Sequence, residues 1–430
     1  MRLRAGVVVT GTEVLTGRVA DRNGPWLAEQ LRAVGVDIGR LVVVGDRPDD
    51  LAAALRHLLP DHDLVLTSGG LGPTADDLTA QVVADVQGRP MRLDPALEGR
   101  IAAVVEALTR RHGWHGDPDA MAAGVRKQAR VPDGAHVLEP VGTAPGLVVP
   151  PAPGRSGASV VVLPGPPSEL RAMWPAVLAA PAVRALLAGA EPLAEDTLRL
   201  WGALEADLAA TLRRIEPGVA DLEISTCLRD GELEIVTRYA PSAAPQLAVL
   251  RDAVRADFGP TLVSPDGAGV DDVVGAALVA RGWSVATGES CTGGLLGARL
   301  TARPGSSAYV LGTVVAYADA VKTALLGVPA ALLREHGAVS PPVAAALAEG
   351  ARSRFGADVG IGVTGIAGPG GGTSDKPVGT VHLAVVSPTG TRARALRLPG
   401  GRDQVRHRTV VTALHELRLL LADAHVPARS

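Results

Sequence analysis

The chain has 430 residues, 47% hydrophobic, 20% charged and 2% aromatic, with 42 Lys and Arg against 45 Asp and Glu. This length predicts two to four domains, and the composition is typical of globular rather than disordered chains. A net charge of −3 and few aromatic rings argue against a nucleic-acid-binding surface, which usually combines basic patches with stacking side chains.

Cysteine content and hydropathy exclude further classes. Two cysteines, Cys227 and Cys291, are too few for a disulfide framework or a cysteine-based zinc site. Gly, Pro or charged residues interrupt every apolar run within about ten residues, too soon for a membrane-spanning helix. We therefore expect a cytoplasmic protein without direct nucleic-acid or membrane partners.

The first third alternates apolar strand-like runs with helical stretches. The strands are predicted at 6–9, 41–44, 64–67 and 160–163, and the helices at 23–34 and 49–59. This alternation predicts a parallel sheet covered on both faces, in which ligands bind beyond the carboxyl ends of the strands. Asp76 and Asp77 are predicted to start a helix, and Ser168 to be the N-cap of another.

The middle of the chain has a different pattern. Strands are predicted at 197–201, 222–227, 233–239 and 261–263, and helices at 204–215 and 244–258. Asp230-Gly231 is a strong two-residue hairpin signal between the second and third of these strands. The order β-α-β-β-α-β is that of a ferredoxin-like domain. It holds no cluster of chemically reactive side chains, so we expect a spacer or docking role.

A Pro-, Gly-rich linker at 265–269 precedes a third α/β pattern. Its strands are predicted at 283–287, 310–317, 359–363 and 381–386, with a helix from Pro341 to about residue 355 and a closing amphipathic helix ending near Leu421. The predicted domains are therefore 1–178, 179–264 and 268–430.

Motifs at both ends resemble one family, the competence/damage-inducible protein A (CinA) family. GTEVLTG, SGGLGPTADD, GTAPG and LPGPPSEL resemble its N-terminal domain, and ESCTGG, PGSSAY, VAYADAVK, HGAVS, VTGIAGPGGG and KPVGT resemble its C-terminal domain. The resemblance implies an N-terminal MoaB/MogA-like three-layer α/β domain, a small ferredoxin-like α+β domain and a C-terminal α/β CinA domain. It also implies a nicotinamide mononucleotide deamidase that needs no cofactor, and we expect a homodimer.

Amide hydrolysis requires a nucleophile, a base and donors for the oxyanion. The third domain has no Gly-x-Ser-x-Gly motif and no evident histidine partner, whereas a desolvated lysine can serve as a base. The resemblance places the nucleophile on Ser307, its partners on Tyr317 and Lys322, and an amide-holding hydroxyl on Thr364. It places a nucleotide-binding arginine on Arg402 or Arg406.

Gly-rich segments of the third domain are predicted to shape the substrate pocket, because glycine lets backbone N–H groups approach a phosphate closely. Cys291 is a rival nucleophile at the start of a Gly-rich turn, although a small buried residue is the favoured interpretation. The predicted pocket residues are Glu289, Ser290, Thr292, Gly293, Gly365 and Gly368.

The resemblance also implies ADP-ribose hydrolysis by the N-terminal domain in some members, with a divalent metal (Mg, Mn or Co) on Asp76 and Asp77. The sequence departs from the family pattern at two places, so an inactive domain stays open. The segment 123–129 has no asparagine before Lys127, and Glu139 stands in place of asparagine. A further alternative for the whole chain is a non-catalytic nucleotide- or molybdopterin-type binding protein acting with competence or repair partners. The predicted N-terminal site residues are Thr12, Glu13, Asn23, Gly69, Gly70, Gly72, Thr74, Gly142 and Thr143.

Overall fold

The structure is a computed structural model that describes residues 2–113 and 116–423, without the side chain of His112. Internal contacts divide the chain into two compact units, Met1–Ala194 and Glu195–Ser430. Each unit is described by itself below.

The first unit contains eight strands and eight helices among its described residues. The strands are β1 (Leu3–Thr10), β2 (Val36–Val44), β3 (Leu64–Ser68), β4 (Met91–Leu93), β5 (Arg130–Pro132), β6 (His136–Leu138), β7 (Gly146–Val149) and β8 (Ser159–Leu163). The helices are α1 (Thr12–Leu15), α2 (Asn23–Ala33), α3 (Pro48–Leu58), α4 (Thr79–Gln87), α5 (Pro95–His112), α6 (Pro118–Gln128), α7 (Pro167–Ala179) and α8 (Pro181–Leu187).

Six of these strands form one sheet in the order β2-β1-β3-β8-β7-β6. Successive β1 side chains, Val7 and Val8, belong to two separate cores, one with Leu27 of α2 and the other with Leu55 of α3. The predicted three-layer arrangement is therefore confirmed. The sheet is mixed rather than all parallel, because β7 runs antiparallel to β8 and to β6. Strands β7 and β6 are only four and three residues long, which is too short for a periodic signal in the sequence.

Two predicted helix starts are wrong. Helix α4 begins at Thr79, after Asp76 and Asp77, whose carboxylates accept hydrogen bonds from Thr74 instead. Helix α7 begins at Pro167, so Ser168 lies inside its first turn and caps nothing. Proline at the first helical position has no N–H to satisfy, which reduces the need for a capping side chain.

The second unit also contains eight strands and eight helices among its described residues. The strands are β9 (Ala194–Trp201), β10 (Glu223–Arg229), β11 (Glu232–Tyr239), β12 (Val285–Glu289), β13 (Val310–Val315), β14 (Val359–Gly365), β15 (Thr380–Ser387) and β16 (Gly390–Arg397). The helices are α9 (Glu205–Ile215), α10 (Ala244–Phe258), α11 (Val270–Arg281), α12 (Leu295–Thr301), α13 (Asp319–Leu326), α14 (Ala330–His336), α15 (Pro341–Phe355) and α16 (Arg402–Asp423).

The smaller sheet of this unit has the order β10-β11-β9, and α9 and α10 pack on it around Leu208, Ile235 and Leu250. The predicted fourth strand at 261–263 is reduced to one antiparallel bridge between Leu262 and Leu200. The Trp201 N–H donates to the Thr261 carbonyl and the Val263 N–H to the Arg199 carbonyl, so the segment pairs with β9 as predicted. The N–H groups of Thr261 and Leu262 both donate to the carbonyl of Phe258, which keeps this pairing short.

The larger sheet has the order β13-β12-β14-β15-β16. Its first three strands are parallel and the last two pair antiparallel. Leu278 of α11 and Leu414 of α16 pack on one face, and Leu347 of α15 packs on the other. This arrangement brings the carboxyl ends of β12, β13 and β14 to one edge.

Among the described residues, no single helix is both long and apolar enough to span a membrane. Helices α7 and α8, which meet at 70°, satisfy the length and composition criteria only when they are taken together.

Candidate functional site

Three consecutive loops of the second unit start at the carboxyl edge of its larger sheet. Glu289, the last residue of β12, pairs in register with Val315 of β13 and Val363 of β14. The N–H of Ala316 donates to the Glu289 carbonyl at 2.7 Å, and the N–H of Ser290 donates to the Val363 carbonyl at 3.0 Å. Adjacent strands lie about 4.8 Å apart. Ser290 therefore lies between the loops that follow β13 and β14.

Ser290 has a free hydroxyl at this edge. The residue is 9% exposed, and its Oγ has no hydrogen-bond partner among residues 2–113 and 116–423. Its carbonyl accepts from the N–H of Gly293 at 3.1 Å, closing a tight turn. The N–H of Thr292 in this turn donates to no described residue either. A hydroxyl and a backbone donor are thus available in one turn.

Lys322 lies in the first turn of α13, the helix that follows β13. Its side chain is buried, with 1% exposed. Its Nζ donates to the Tyr317 carbonyl at 2.9 Å and to Asp319 Oδ1 at 3.0 Å. An ammonium group has three donors, so one remains for another partner. The structure therefore fixes the lysine head group beside the backbone of Tyr317, at the predicted edge.

Two arginines connect the loops of the edge. Arg402 donates from Nη1 to the Gly368 carbonyl at 2.9 Å and from Nη2 to the Tyr317 hydroxyl at 3.0 Å. Arg406, one turn later on α16, donates from Nη2 to the Thr292 carbonyl at 2.9 Å. The hydrogen bond that Arg402 donates to the Tyr317 hydroxyl raises the pKa of Arg402, so its positive charge is secure. Two guanidinium groups at a helix N-terminus form a strongly anion-attracting region.

Thr364 also lies at this edge, directly after Val363, which pairs with Glu289 and accepts the Ser290 N–H. It is buried, and its Oγ1 donates to the Ala338 carbonyl at 2.7 Å. That bond leaves the hydroxyl oxygen able to accept from a substrate N–H but not to donate a second hydrogen bond.

Glu289 has a structural role instead of the predicted role in the pocket. It is fully buried, and its carboxylate accepts hydrogen bonds from the N–H groups of Gly294, Leu296 and Gly297 at 2.8–3.2 Å. The Thr287 hydroxyl lies 3.2 Å from the same carboxylate. Because these donors occupy the carboxylate, Glu289 holds the N-terminus of α12 and has little capacity left for a ligand.

The predicted glycines pack tightly against the same groups. Gly293 has φ 60°, and a Cβ there would lie 3.4 Å from Arg406 Nη2. A Cβ on Gly365 would lie 2.8 Å from Val381 and 3.1 Å from the Cys291 sulfur. Gly368 contributes its carbonyl to Arg402. These glycines therefore allow the loops and arginines to approach each other closely.

Cys291 is a poor nucleophile in this setting. The side chain is 4% exposed and belongs to the core between the larger sheet and α16. Burial raises the pKa of its thiol to about 11. The thiol is therefore protonated at neutral pH, which agrees with its interpretation as a packing residue.

The structure does not bring Ser307 to this edge. Ser307 lies on an exposed single turn at 306–308, directly before β13 begins at Val310. Lys322 and Tyr317 follow the other end of the same strand. A six-residue strand is about 20 Å long. Within one chain, the predicted nucleophile is thus separated from its predicted base, because the β13 strand lies between them. From the sequence, Ser290 is predicted only as a residue of the pocket, because the sequence does not show that its hydroxyl lacks a partner.

The carboxyl edge of the first sheet has a second set of polar groups. Asn23 is buried, and its Nδ2 donates to Ser68 Oγ at 2.8 Å and to the Gly165 carbonyl at 2.7 Å. Gly69 and Gly70 follow β3 with φ of 108° and 67°, and a Cβ on Gly69 would lie 2.6 Å from the Thr10 carbonyl. Asn23 and the two glycines therefore bring the loops after β1, β3 and β8 together.

Carboxylates flank this edge. Thr74 Oγ1 lies 2.5 Å from both Asp76 Oδ1 and Asp77 Oδ2, and the hydrogen bond to Thr74 lowers the pKa of Asp76. Lys127 Nζ contacts the Thr74 carbonyl. Thr12 binds a further carboxylate, Asp46, through Oγ1 at 2.7 Å. Asp46 and Asp76 line one small cleft, and the sequence analysis did not select Asp46.

These oxygen atoms suit a hard divalent cation only in part. Within residues 2–113 and 116–423, no three His, Cys, Asp or Glu side chains are close enough to hold a metal ion by themselves. Mg²⁺ commonly keeps several waters and uses one or two carboxylates together with substrate phosphates. Asp76 and Asp46 fit that mode of binding, with a phosphate supplying the remaining ligands.

The other predicted N-terminal residues lie around this cleft or support it. Glu13 is exposed, and a Cβ on Gly72 would lie 2.5 Å from Asp77 Oδ2. Thr143 Oγ1 accepts from Gln128 Nε2 at 3.3 Å, and the same amide donates to the Leu71 carbonyl at 2.9 Å. A Cβ on Gly142 would meet the carboxylate of Glu169, whose pKa is raised by burial.

The two sequence departures differ in their surroundings. Glu139 is exposed and pairs with Arg100 at 3.1 Å. Ala123 to Ala129 fall on α6 and its end, which supply Lys127 and Gln128 to the loops described above.

Comparison with known proteins identifies both ends of the chain. The CinA C-terminal domain family matches residues 268–421, and the probable molybdopterin binding domain family matches residues 6–185. A CinA-like protein from Mycobacterium sp. (strain JLS) is 54% identical over 428 residues, covering 98% of this chain and all of the relative. The relative from Mycobacterium leprae is 50% identical, over 98% of each chain.

Among solved structures, the competence/damage inducible protein from Agrobacterium tumefaciens is 40% identical, covering 36% of this chain and 98% of its own, with a TM-score of 0.34. The full-length similarity to the mycobacterial relatives, together with the two domain matches, shows that the chain belongs to the family of CinA-like proteins.

Proposed function

We propose that the C-terminal part of the chain hydrolyses the carboxamide of nicotinamide mononucleotide to nicotinic acid mononucleotide and ammonia. One observation carries the proposal. A free serine hydroxyl and a buried lysine follow two adjacent parallel strands at one edge of one sheet, and two arginines of α16 donate to the loops of that edge. A protein that only binds nucleotides has no need of a hydroxyl and a lysine in this arrangement.

The first chemical step forms an ester on Ser290. Its Oγ attacks the carboxamide carbon, and Lys322 in its unprotonated form accepts the hydroxyl proton. The N–H of Thr292 is suited to stabilise the developing oxyanion, because it has no protein partner. The C–N bond then breaks, and the proton held by Lys322 passes to the departing nitrogen as ammonia is released.

The second step regenerates the serine. Water attacks the ester carbon and gives one proton to Lys322. The C–O bond to Ser290 breaks, and that proton returns to the serine oxygen. The products are the free carboxylic acid and the original hydroxyl. Thr364 Oγ1 accepts from the substrate amide and so fixes its orientation before attack.

The arginines suit the 5′-phosphate of the substrate. The guanidinium forks of Arg402 and Arg406 match a phosphate group, and the N-terminus of α16 adds its partial positive charge. Tyr317 is held by Arg402, and it fixes Lys322 through its carbonyl. This part of the site requires no metal, because protein cations neutralise the substrate charge.

The direct test is ammonia release from nicotinamide mononucleotide by the purified full-length protein, with nicotinic acid mononucleotide measured in parallel. Equal amounts of both products are expected. Nicotinamide riboside, which lacks the phosphate, is the matched control and should react much more slowly. Absence of ammonia at high enzyme concentration would refute the proposal and favour a non-catalytic nucleotide-binding protein.

A second activity is proposed for the first unit, namely divalent-metal-dependent cleavage of ADP-ribose. The cluster of Asp46, Asp76 and Thr74 beside the Gly69-Gly70 turn supports it. Mg²⁺, Mn²⁺ or Co²⁺ would neutralise the pyrophosphate and polarise its phosphorus. Formation of AMP and ribose 5-phosphate from ADP-ribose, measured with each metal and with EDTA, tests this activity; no cleavage with any metal would support an inactive domain.

A further inference from the structure

A cavity of about 630 Å³ lies on another side of α16, away from the residues proposed for amide hydrolysis. Its volume falls within the range of small-molecule sites, roughly 300–1,000 Å³. Trp201 and Leu228 of the smaller sheet, Leu398 after β16, and His407 and Arg408 of α16 are among the residues that line it. The sequence analysis assigned no function to any of them.

One wall of the cavity is apolar and fixed in place. The Trp201 ring stacks on His415, with the centroids 4.5 Å apart and the planes at 9°. His415 is itself buried and bonds Glu232 at 2.7 Å, which fixes the stack. Leu228, near the tip of the β10-β11 hairpin, is 72% exposed. A fixed indole and exposed aliphatic side chains suit a planar apolar ring.

The lining also includes a guanidinium group without a carboxylate partner. His407 faces Asp230 at 3.6 Å. Arg408 donates from Nη1 to the Pro399 carbonyl at 3.3 Å, and no Asp or Glu within the described part of the chain pairs with it. A guanidinium group has five N–H donors, so most of its capacity remains for a ligand. Carboxylate and phosphate are the groups that such a fork binds best.

We propose that this cavity binds a small planar aromatic anion, its ring against Trp201 and Leu228 and its carboxylate or phosphate on Arg408. The cavity is distinct from the amide-hydrolysis site, although both use α16. Arg402 and Arg406 face the loops after β12 and β14, whereas His407 and Arg408 face the cavity.

Binding can be measured with a fluorophore attached to Cys227 of the full-length protein. Cys227 is exposed next to Leu228, whereas Cys291 is buried, so accessibility makes labelling selective for Cys227 although the pKa of each thiol is raised, chiefly by desolvation. The probes are AMP for a phosphate and nicotinate for a carboxylate. A saturable change is expected with at least one of them, and the preferred probe identifies the anionic group. The uncharged counterparts, adenosine and nicotinamide, should bind roughly tenfold more weakly or worse.

Two variants and a matched control decide the assignment. Arg408→Gln removes the cation, and Leu228→Asp places a carboxylate on the exposed hairpin; each should weaken binding roughly tenfold or more. Arg213→Gln changes an exposed arginine of α9 outside the cavity and should have no effect. No saturable response to either probe, or equal responses in the Arg408→Gln variant and the unaltered protein, would overturn the proposal.

Discussion

The two proposed sites have the same architecture and opposite charge. Each lies where parallel strands end and Gly-rich turns begin. The edge of the second unit holds Lys322, Arg402 and Arg406, and the edge of the first unit holds Asp46, Asp76 and Asp77. Cations can neutralise a nucleotide phosphate directly, whereas carboxylates repel it unless a divalent ion intervenes. The comparison therefore predicts a metal-independent reaction at the edge of the second unit and a metal-dependent reaction at the edge of the first unit.

Replacing Lys322 should have the largest effect. Lys322→Met keeps much of the buried side-chain volume but removes the base, so kcat for deamidation should fall roughly a thousandfold or more. Lys376→Met, at a more exposed lysine that binds the His336 carbonyl, is the matched control and should change kcat less than about twofold. Near-normal kcat in a folded Lys322→Met variant would contradict the proposed base.

Asp76→Asn should separate the two edges. The amide cannot replace a charged metal ligand, so ADP-ribose cleavage should fall roughly a hundredfold or more, while ammonia release stays unchanged. EDTA should produce the same contrast in the unaltered protein. Loss of both activities on chelation would show that the amidase edge also depends on a metal and would break the comparison.

The arginines should act mainly on substrate affinity. Arg406→Gln and Arg402→Gln should each raise KM for nicotinamide mononucleotide about tenfold or more, because each removes charge-assisted hydrogen bonds to the phosphate. Arg402→Gln should also lower kcat modestly, since Arg402 holds Tyr317. A fall in kcat alone, with KM unchanged in both variants, would exclude the arginines from phosphate binding.

The smallest expected effect concerns Cys291. Its thiol pKa is raised to about 11, so in the folded protein the thiol stays protonated until the pH approaches that value. Because Cys227 is exposed and Cys291 is buried, iodoacetamide at pH 8 should modify Cys227 alone in the folded protein and both cysteines after denaturation. Cys291→Ala should change kcat less than about twofold. Rapid modification of Cys291 with loss of activity would restore the thiol as a candidate nucleophile.

The sequence predicted most elements but not all of their connections. Continuous apolar runs located the central strands β1, β3, β8, β12 and β14, because buried strands need no polar alternation. Strand β16 was missed because its residues are largely exposed and Arg-rich. The predicted strand at 261–263 is limited to one bridge with β9, because hydrogen bonds to the end of α10 compete with further sheet pairing.

The limits at the site have the same physical basis. The position of Tyr317 and Lys322 at the carboxyl end of a strand could be predicted from the sequence, whereas their roles and that of Thr364 are implied by the family resemblance and stay predictions. The burial of Glu289 could not, since the sequence does not show that three backbone N–H groups turn towards its carboxylate. Ser307 and Lys322 lie on either side of the predicted strand 310–317, and similarity of motifs does not tell whether side chains at opposite ends of a strand meet; the role of Ser307 stays a prediction. The predicted domain boundaries at 178 and 264–268 stay predictions.

The nucleophile is the central claim, and single-turnover deamidation by Ser290→Ala and Ser307→Ala tests it most directly. Ser290→Ala should lower the rate of ammonia release roughly a thousandfold or more, and combining it with Lys322→Met should lower it little further, as expected for residues that act as one unit. Ser307→Ala should stay within about twofold of the unaltered protein. Intact catalysis by Ser290→Ala, with loss of catalysis by Ser307→Ala, would contradict the account and would require Ser307 to reach Lys322 from another chain.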